Sequence, residues 1–232
     1  MIDYIWVIYM SKYSTYWDKK LPDNLGKSTY SVWLDSFKDV LDTSGLPILD
    51  LGCGNGEDTE WLVKNGYPVI SADFSSSAIE RVKTINPNAF LLDMSDIDQW
   101  AKLDDNSVSF IIANLSLHYF DDATTMMIMG QIKRILAPNG ILIARVNSNL
   151  DTEFGAGDGI EIEPDFYKNP ERGIDKRFFT KDSSRKYFSI IGNPSVELKT
   201  IQYIGKNKQI FEIVVRNNKE LKYSKNKSSK RR

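Results

Sequence analysis

The stretch Ile48-Leu49-Asp50-Leu51 runs directly into Gly52-Cys53-Gly54-Asn55-Gly56, and the helical segment GEDTEWLVKNG (56–66) follows at once, closed by Gly66. A short, mostly apolar run of this kind suits a strand covered on both faces. A strand, a turn stripped of side chains and a helix leave few options. The backbone can approach a ligand without Cβ interference, and the helix N-terminus turns its unpaired N–H groups and positive dipole end toward whatever the turn holds. A carboxylate or a phosphate suits that place. Spacing separates the two. Dinucleotide-binding turns run G-x-G-x-x-G, and the position of the third glycine is Glu57, an anion that is unfavourable beside a pyrophosphate. The observed G-x-G-x-G suits a cofactor without phosphates.

The rest of the chain repeats the alternation. Strands are predicted at 68–73, 89–93, 107–115 and 140–147. Helices are predicted at 75–86 behind a serine cap, around Ile97–Lys102 and at 122–136. Val32, Trp33, Phe37, Val40 and Leu41 stand at helical spacing within 28–42, residues 149–176 read as a long loop rich in Gly, Asp, Glu and Pro, and a helical piece covers 180–192. Segments 196–203 and 209–216 alternate and face each other across a Gly-Lys-Asn turn, a hairpin. The pattern predicts an α/β fold, a doubly wound and mostly parallel sheet with helices on both faces. At 232 residues it fits one domain. We divide it into an N-terminal extension or lid (1–27), a main domain (28–216) with an insertion at 149–180, and a basic tail (217–232).

That tail holds seven Lys or Arg against one Glu, so it carries +6 and leaves –7 on the body, which argues against an extended phosphate-binding groove and a nucleic-acid partner. A single cysteine, Cys53, excludes an internal disulfide and a cysteine-based zinc site, and suits a reducing cytoplasm. No metal site is predicted. No apolar run approaches the roughly 18 residues needed to span a bilayer, and the opening MIDYIWVIYM lacks the basic start and cleavage site of a signal peptide.

Two further acids complete a constellation with Asp50. Asp73 ends the second strand, 21 residues beyond Gly52, where a carboxylate can accept both ribose hydroxyl protons. Asp93 ends the third, where a carboxylate can accept from an exocyclic adenine amine. Three acids at the carboxyl ends of neighbouring strands converge on the crevice where open α/β sheets bind ligands.

At these residues the chain resembles the class I S-adenosylmethionine-dependent methyltransferases. ILDLGCGNGEDTEWL is similar to that family's first motif, ADFS (72–75) to its second, LLDMSD (91–96) to its third and IIANLSLHYF (111–120) to its fourth, with RILAPNGILIARVN (134–147) like the helix, turn and strand that follow. The resemblance implies a Rossmann-like seven-stranded sheet whose last strand is antiparallel, and S-adenosylmethionine as cofactor. It implies that Gly52, Gly54 and Asn55 lie along the methionine moiety, that Asp73 holds the ribose, that Asp93 and Met94 hold adenine, and that Asn114, Leu115 and Ser116 line the floor near the sulfonium. Asp50, Cys53, Gly56 and Phe74, which adjoin these, complete the candidate cofactor-binding set. STYWDKK near the start also resembles the tellurite-resistance and thiopurine branch, which acts on small, soft nucleophiles.

Methyl transfer from a sulfonium needs chiefly positioning and exclusion of water. The one histidine, His118, follows the fourth strand and is the candidate base, its alternative being a pocket-wall residue. Trp17, Tyr119, Arg145 and Arg177 are candidates for contacting the acceptor; an arginine that merely covers apolar surface is the alternative for each of the last two. No cysteine follows the fourth strand and Asn114-Leu115-Ser116-Leu117 lacks a Pro-Pro-aromatic stretch, so both nucleobase-methylating patterns are absent. The expected function is methyl transfer to a small molecule. Its rivals are a nicotinamide-dependent oxidoreductase and a binding module that keeps the cofactor site without catalysis.

Overall fold

The computed structural model describes residues 33–41, 45–171 and 173–219. Trp17, the extension at 1–27, the STYWDKK stretch and the tail from residue 220 onward lie outside the described residues. After a 3-10 helix at Trp33–Phe37 come Ile48–Leu51 (β1), Glu57–Lys64 (α1), Val69–Asp73 (β2), Ser76–Val82 (α2) and Ala89–Leu91 (β3). A 3-10 helix at Ile97–Lys102 leads to Val108–Asn114 (β4), Asp122–Ile135 (α3) and Leu136–Asn147 (β5). Short strands Ile160–Glu163 (β6), Phe166–Lys168 (β7) and Lys176–Arg177 (β8) precede Lys181–Phe188 (α4) and the hairpin Ser195–Tyr203 (β9) and Lys206–Arg216 (β10).

Seven strands form one sheet in the order β3-β2-β1-β4-β5-β10-β9. The five strands β3, β2, β1, β4 and β5 are parallel, and β10 runs antiparallel to both β5 and β9. The expected mostly parallel sheet with an antiparallel C-terminal hairpin is what forms. Chain order reverses at β1, which pairs Asp50 with Ser71 of β2 on one side and with Ile112 of β4 on the other. That switch point opens a crevice at the strands' carboxyl ends.

Alternation splits the core in two. Leu49, Leu51, Ile111, Ala113, Leu142 and Ala144 pack with Ile128 and Ile132 of α3 and Phe188 of α4. Ile48, Phe110, Ile112, Ile141 and Ile143 face the other way, onto Trp33, Leu34 and Leu62. Both faces are covered, which is why these strands read as unbroken apolar runs.

Three expectations need correction. The periodicity over 28–42 yields, in its described part, only the 3-10 helix at Trp33–Phe37, and Val40 is exposed. Trp33 is held there from outside, by Asp58 and Arg145, so tertiary contacts rather than an apolar helical stripe fix the segment. The long loop at 149–176 is structured: β6, β7 and β8 form a small antiparallel sheet. Asp165, with φ of 62°, makes the tight turn between β6 and β7. Lastly, the hairpin turns at Ile204-Gly205, and β10 resumes at Lys206, ahead of the expected Gly-Lys-Asn turn.

Candidate active site

The glycine turn is braced from within. Gly52 and Cys53 both donate their N–H to the Ala72 carbonyl, at 2.7 and 3.0 Å, and Gly56 donates to the Cys53 carbonyl at 2.8 Å. Gly54 donates to Asp73 Oδ2 at 2.9 Å, while Ser75 donates to Asp73 Oδ1 at 2.9 Å. One carboxylate thus ties the turn to the start of α2, whose N-cap is Ser75, as its sequence predicts. Four N–H groups of the turn are therefore committed to the fold. A carboxylate is an acceptor-only group with about four lone-pair sites, the chemistry that a pair of sugar hydroxyls would need.

Gly52 has a second reason to be glycine. Its φ is +76°, and a Cβ there would stand 2.3 Å from Cβ of Ser116. The turn after β1 and the loop after β4 press together at that point, and Ser116 Oγ donates to the Leu51 carbonyl at 2.7 Å. Leu115 alongside takes a φ of 58° and donates its N–H to the Arg145 carbonyl at 2.9 Å. A non-glycine in that region marks a loop held by its surroundings. Met94 is buried close by, with its carbonyl receiving the Trp100 indole N–H at 3.0 Å.

Behind the turn, Asp50 is fully enclosed and accepts from Thr59 Oγ1 at 2.6 Å. Burial first, and the nearby Asp58 charge second, push its carboxyl up to about 8. It is a protonated structural group at neutral pH. Burial also raises the Cys53 thiol well above its usual range, so it stays protonated. Asp58, in the first turn of α1, is a hub. It accepts from Trp33 Nε1 at 2.8 Å and from Asn114 Nδ2 at 2.9 Å. Asn114 is thereby oriented at the end of β4, and its buried Oδ1 has no partner among the described residues.

Asp93 lies two residues beyond β3. It accepts from the N–H and hydroxyl of Ser95 at 2.9 and 2.7 Å, and burial raises its carboxyl. Asn55 receives a long contact from Arg81 at 3.5 Å, and Phe74, half-buried, separates Asp73 from the Ser75 cap. The residues Gly52, Gly54, Asp73, Met94, Asn114 and Ser116 therefore share the crevice between β1, β2 and β4.

The remaining candidates lie on the β4–β5 side. His118 is buried, its ring 4.2 Å from that of Tyr119, and its Nδ1 has no partner among the described residues. Burial, then the charges of Lys176 and Lys208, hold it well below the usual histidine range, so the ring is neutral. Arg145 donates from Nε and Nη2 to Glu212 at 3.0 and 2.8 Å and lies 4.1 Å over the Trp33 ring. Arg177 donates to Glu163 at 2.8 Å and to the Pro164 carbonyl at 2.9 Å. Both guanidinium groups already carry a carboxylate.

Residues 49–144, which hold every one of the crevice groups just described, match a family described as a methyltransferase domain. This stretch is similar in sequence to a methyltransferase domain and has the fold of a solved S-adenosylmethionine-dependent methyltransferase. The chain is 29% identical over 143 residues to phosphoethanolamine N-methyltransferase 1 of Triticum aestivum, covering 60% of this chain and 27% of that protein. It is 31% identical over 105 residues to trans-aconitate 2-methyltransferase of Variovorax paradoxus, covering 44% of this chain and 39% of that protein. The chain thus spans well under half the length of these curated relatives. A methyltransferase structure from Anabaena variabilis superposes with a TM-score of 0.63 at 20% identity, over 90% of this chain and 94% of that one. The 1,6-didemethyltoxoflavin-N1-methyltransferase of Burkholderia thailandensis, solved with its acceptor and S-adenosylhomocysteine, has a TM-score of 0.63 at 18% identity, over 94% of this chain and 90% of that one. These likenesses confirm the methyltransferase fold. Among the described residues, no helix is long and apolar enough to cross a membrane and no cluster of His, Cys, Asp or Glu would hold a metal ion.

Proposed function

We propose that this chain transfers a methyl group from S-adenosylmethionine to a small-molecule acceptor. The observation that carries the reading is the joint placement of Gly54, Asp73 and Asn114 on one crevice inside the matched residues. The groups present fit the cofactor. Asp73 and Asp93 offer carboxylates, acceptors for a diol and for an adenine amine, and the bare Asn114 Oδ1 suits a cationic donor. With the cofactor bound, its sulfonium supplies an electrophilic methyl group. Gly52, Gly54 and Asn55 would lie along its methionine part, Met94 and Phe74 would flank the base, and Leu115 and Ser116 would form the floor. Asp50, Cys53 and Gly56 hold the turn in shape.

The chemistry left to the protein is small. A protonated acceptor would have to lose its proton on receiving the methyl group. His118 takes that proton on a neutral ring nitrogen, with Tyr119 packed against it. The 149–180 segment walls the acceptor side, with Arg177 bracing β8 through Glu163, and Arg145 with Trp33 frames the opposite face. Relatives and neighbours are named for small acceptors: phosphoethanolamine, trans-aconitate and 1,6-didemethyltoxoflavin. The acidic body does not favour nucleic acid, and the lone buried cysteine suits the cytoplasm.

Calorimetry with S-adenosylmethionine, S-adenosylhomocysteine and NAD tests the cofactor, and transfer of labelled methyl to a metabolite extract tests catalysis. We expect the first two ligands to bind and label to appear in a small molecule. Binding of NAD alone would overturn the proposal, and binding without transfer would reduce the chain to a cofactor-binding module.

A further inference from the structure

Asn147, the last residue of β5, is almost completely buried, yet neither its carboxamide oxygen nor its nitrogen has a partner among the described residues. Buried amides are rarely left so, because each unpaired group keeps the penalty of leaving water. Alternation along β5 puts Asn147 on the face it shares with Arg145 and Ile143, the side covered by Trp33.

His118 presents the matching anomaly, a buried ring nitrogen without a partner. The two residues are brought together by one extended stretch. Arg177 donates its N–H to the His118 carbonyl, and Phe179 donates to the Asn147 carbonyl, both at 2.8 Å. Donors two residues apart on a strand lie roughly 7 Å from each other. The two unsatisfied side chains therefore start within reach of one small molecule, at the carboxyl ends of β4 and β5.

The surroundings narrow its chemistry. Lys208 is buried nearby, but it donates to Asp151 at 2.7 Å, so that charge is spoken for. Arg145 and Arg177 are likewise paired. What remains on offer is neutral: two N–H donors and one carbonyl acceptor from Asn147, and one ring nitrogen from His118. A carboxylate would enter this place without an unpaired cation to meet it. A carbonyl beside an N–H satisfies both sides of a carboxamide at once.

We propose that Asn147 and His118 form an acceptor subsite that recognises a neutral amide-like edge, a C=O adjoining an N–H, as found in lactams and oxo-heterocycles. This rests on the methyltransferase reading above and names the acceptor class for it.

The probes are 2-pyridone and uracil for the amide edge, against benzoate and thiophenol, titrated by calorimetry into the full chain saturated with S-adenosylhomocysteine. Failure of S-adenosylhomocysteine to bind counts against the methyltransferase reading; with it bound, the panel tests the subsite alone. We expect at least one amide-edge probe to bind tenfold or more tighter than benzoate and thiophenol, and Asn147→Leu to abolish that preference. Because Leu removes an unsatisfied buried amide, we also expect the ligand-free Tm of the variant to match or exceed that of the wild type. Equal or absent binding across the panel overturns the inference. So does an Asn147→Leu variant that unfolds at lower temperature yet keeps the preference, since Asn147 would then be a structural residue.

Discussion

The amide of Gly54 donates to the carboxylate of Asp73 at 2.9 Å, so the acid proposed to hold the ribose is also the brace of the turn that would carry the methionine moiety. The same carboxylate receives Ser75 N–H at 2.9 Å. Asp73→Asn keeps the shape but turns an NH2 toward one of two N–H donors. We expect a loss of about 1–3 kcal/mol in stability, the range for stranding a buried donor, and at least tenfold weaker S-adenosylhomocysteine binding. Urea denaturation and calorimetry on the same preparation check both. Full stability with lost binding would mean that Asp73 only grips and does not brace.

Gly52→Ala separates two strains. The backbone φ of +76° and the 2.3 Å approach of the added Cβ to Ser116 Cβ both oppose it. We expect a loss of more than about 1 kcal/mol, because Ala at positive φ is strained regardless of space. Adding Ser116→Gly removes the clash but leaves the backbone strain, so the double variant should recover part of the loss in denaturant midpoint. Ser116→Ala keeps the Cβ and should recover none. Recovery by both would show that the serine hydroxyl, not Cβ, is the obstacle.

The burial of Asp50 has a pH signature. Its carboxyl is raised from 3.8 to about 8, so across that interval the folded state holds a proton that the unfolded state has released. Stability contributed by this group is fully present below about pH 4 and is lost as pH rises through its folded value. Wild-type Tm should fall between pH 5 and 9 more steeply than that of Asp50→Asn, which keeps a neutral group beside Thr59. Parallel Tm profiles for the two proteins would show that Asp50 is ionised in the fold.

How far the site is legible in the sequence follows from how local its causes are. Asp50, Asp73 and Asp93 are readable because buried parallel strands are continuous apolar runs, and an acid at the end of each stands out against them. Asp58 is not readable as a hub, since its partners Trp33 and Asn114 are 25 and 56 positions away and only the closed sheet delivers them. Asn147 is legible only as a polar amide closing the mostly apolar run ILIARVN. The small sheet of β6 to β8 hides behind its own turn residues. Gly159, Pro164 and Asp165 read as turn residues, while Ile160 and Ile162 alternate yet remain exposed.

His118 sits below its ordinary pKa because burial, then Lys176 and Lys208, disfavour its charge. A base that stays neutral keeps working in acid. We expect methyl transfer to lose little rate between pH 7.5 and 6, and His118→Ala to cut turnover about 100-fold or more, the contribution typical of a positioned base, with S-adenosylhomocysteine affinity within twofold of wild type. The linked stability runs opposite to that of Asp50: it is present above the unfolded value of 6.5 and is lost as pH falls below it. Unchanged turnover in His118→Ala removes the residue from the chemistry.

Arg145 and Glu212 form an ion pair whose side chains are 8% and 13% exposed, with the guanidinium also over Trp33 at 4.1 Å. Breaking such a pair from one side leaves a carboxylate with little water, at a cost of about 3–5 kcal/mol. Lys199 Nζ, 3.9 Å from the other Glu212 oxygen, supplies partial relief, so Arg145→Met should fall at the lower end. Replacing both partners, Arg145→Met with Glu212→Leu, removes the stranded charge and should restore most of the stability in urea. Cofactor affinity should change little in the double variant, because Asp58 orients Asn114 through its own hydrogen bond. If the double variant is as unstable as the single one, the stack on Trp33 rather than the ion pair holds this edge of the sheet. In that case Arg145→Lys, which keeps the charge and loses the planar stack, should be as damaging as Arg145→Met.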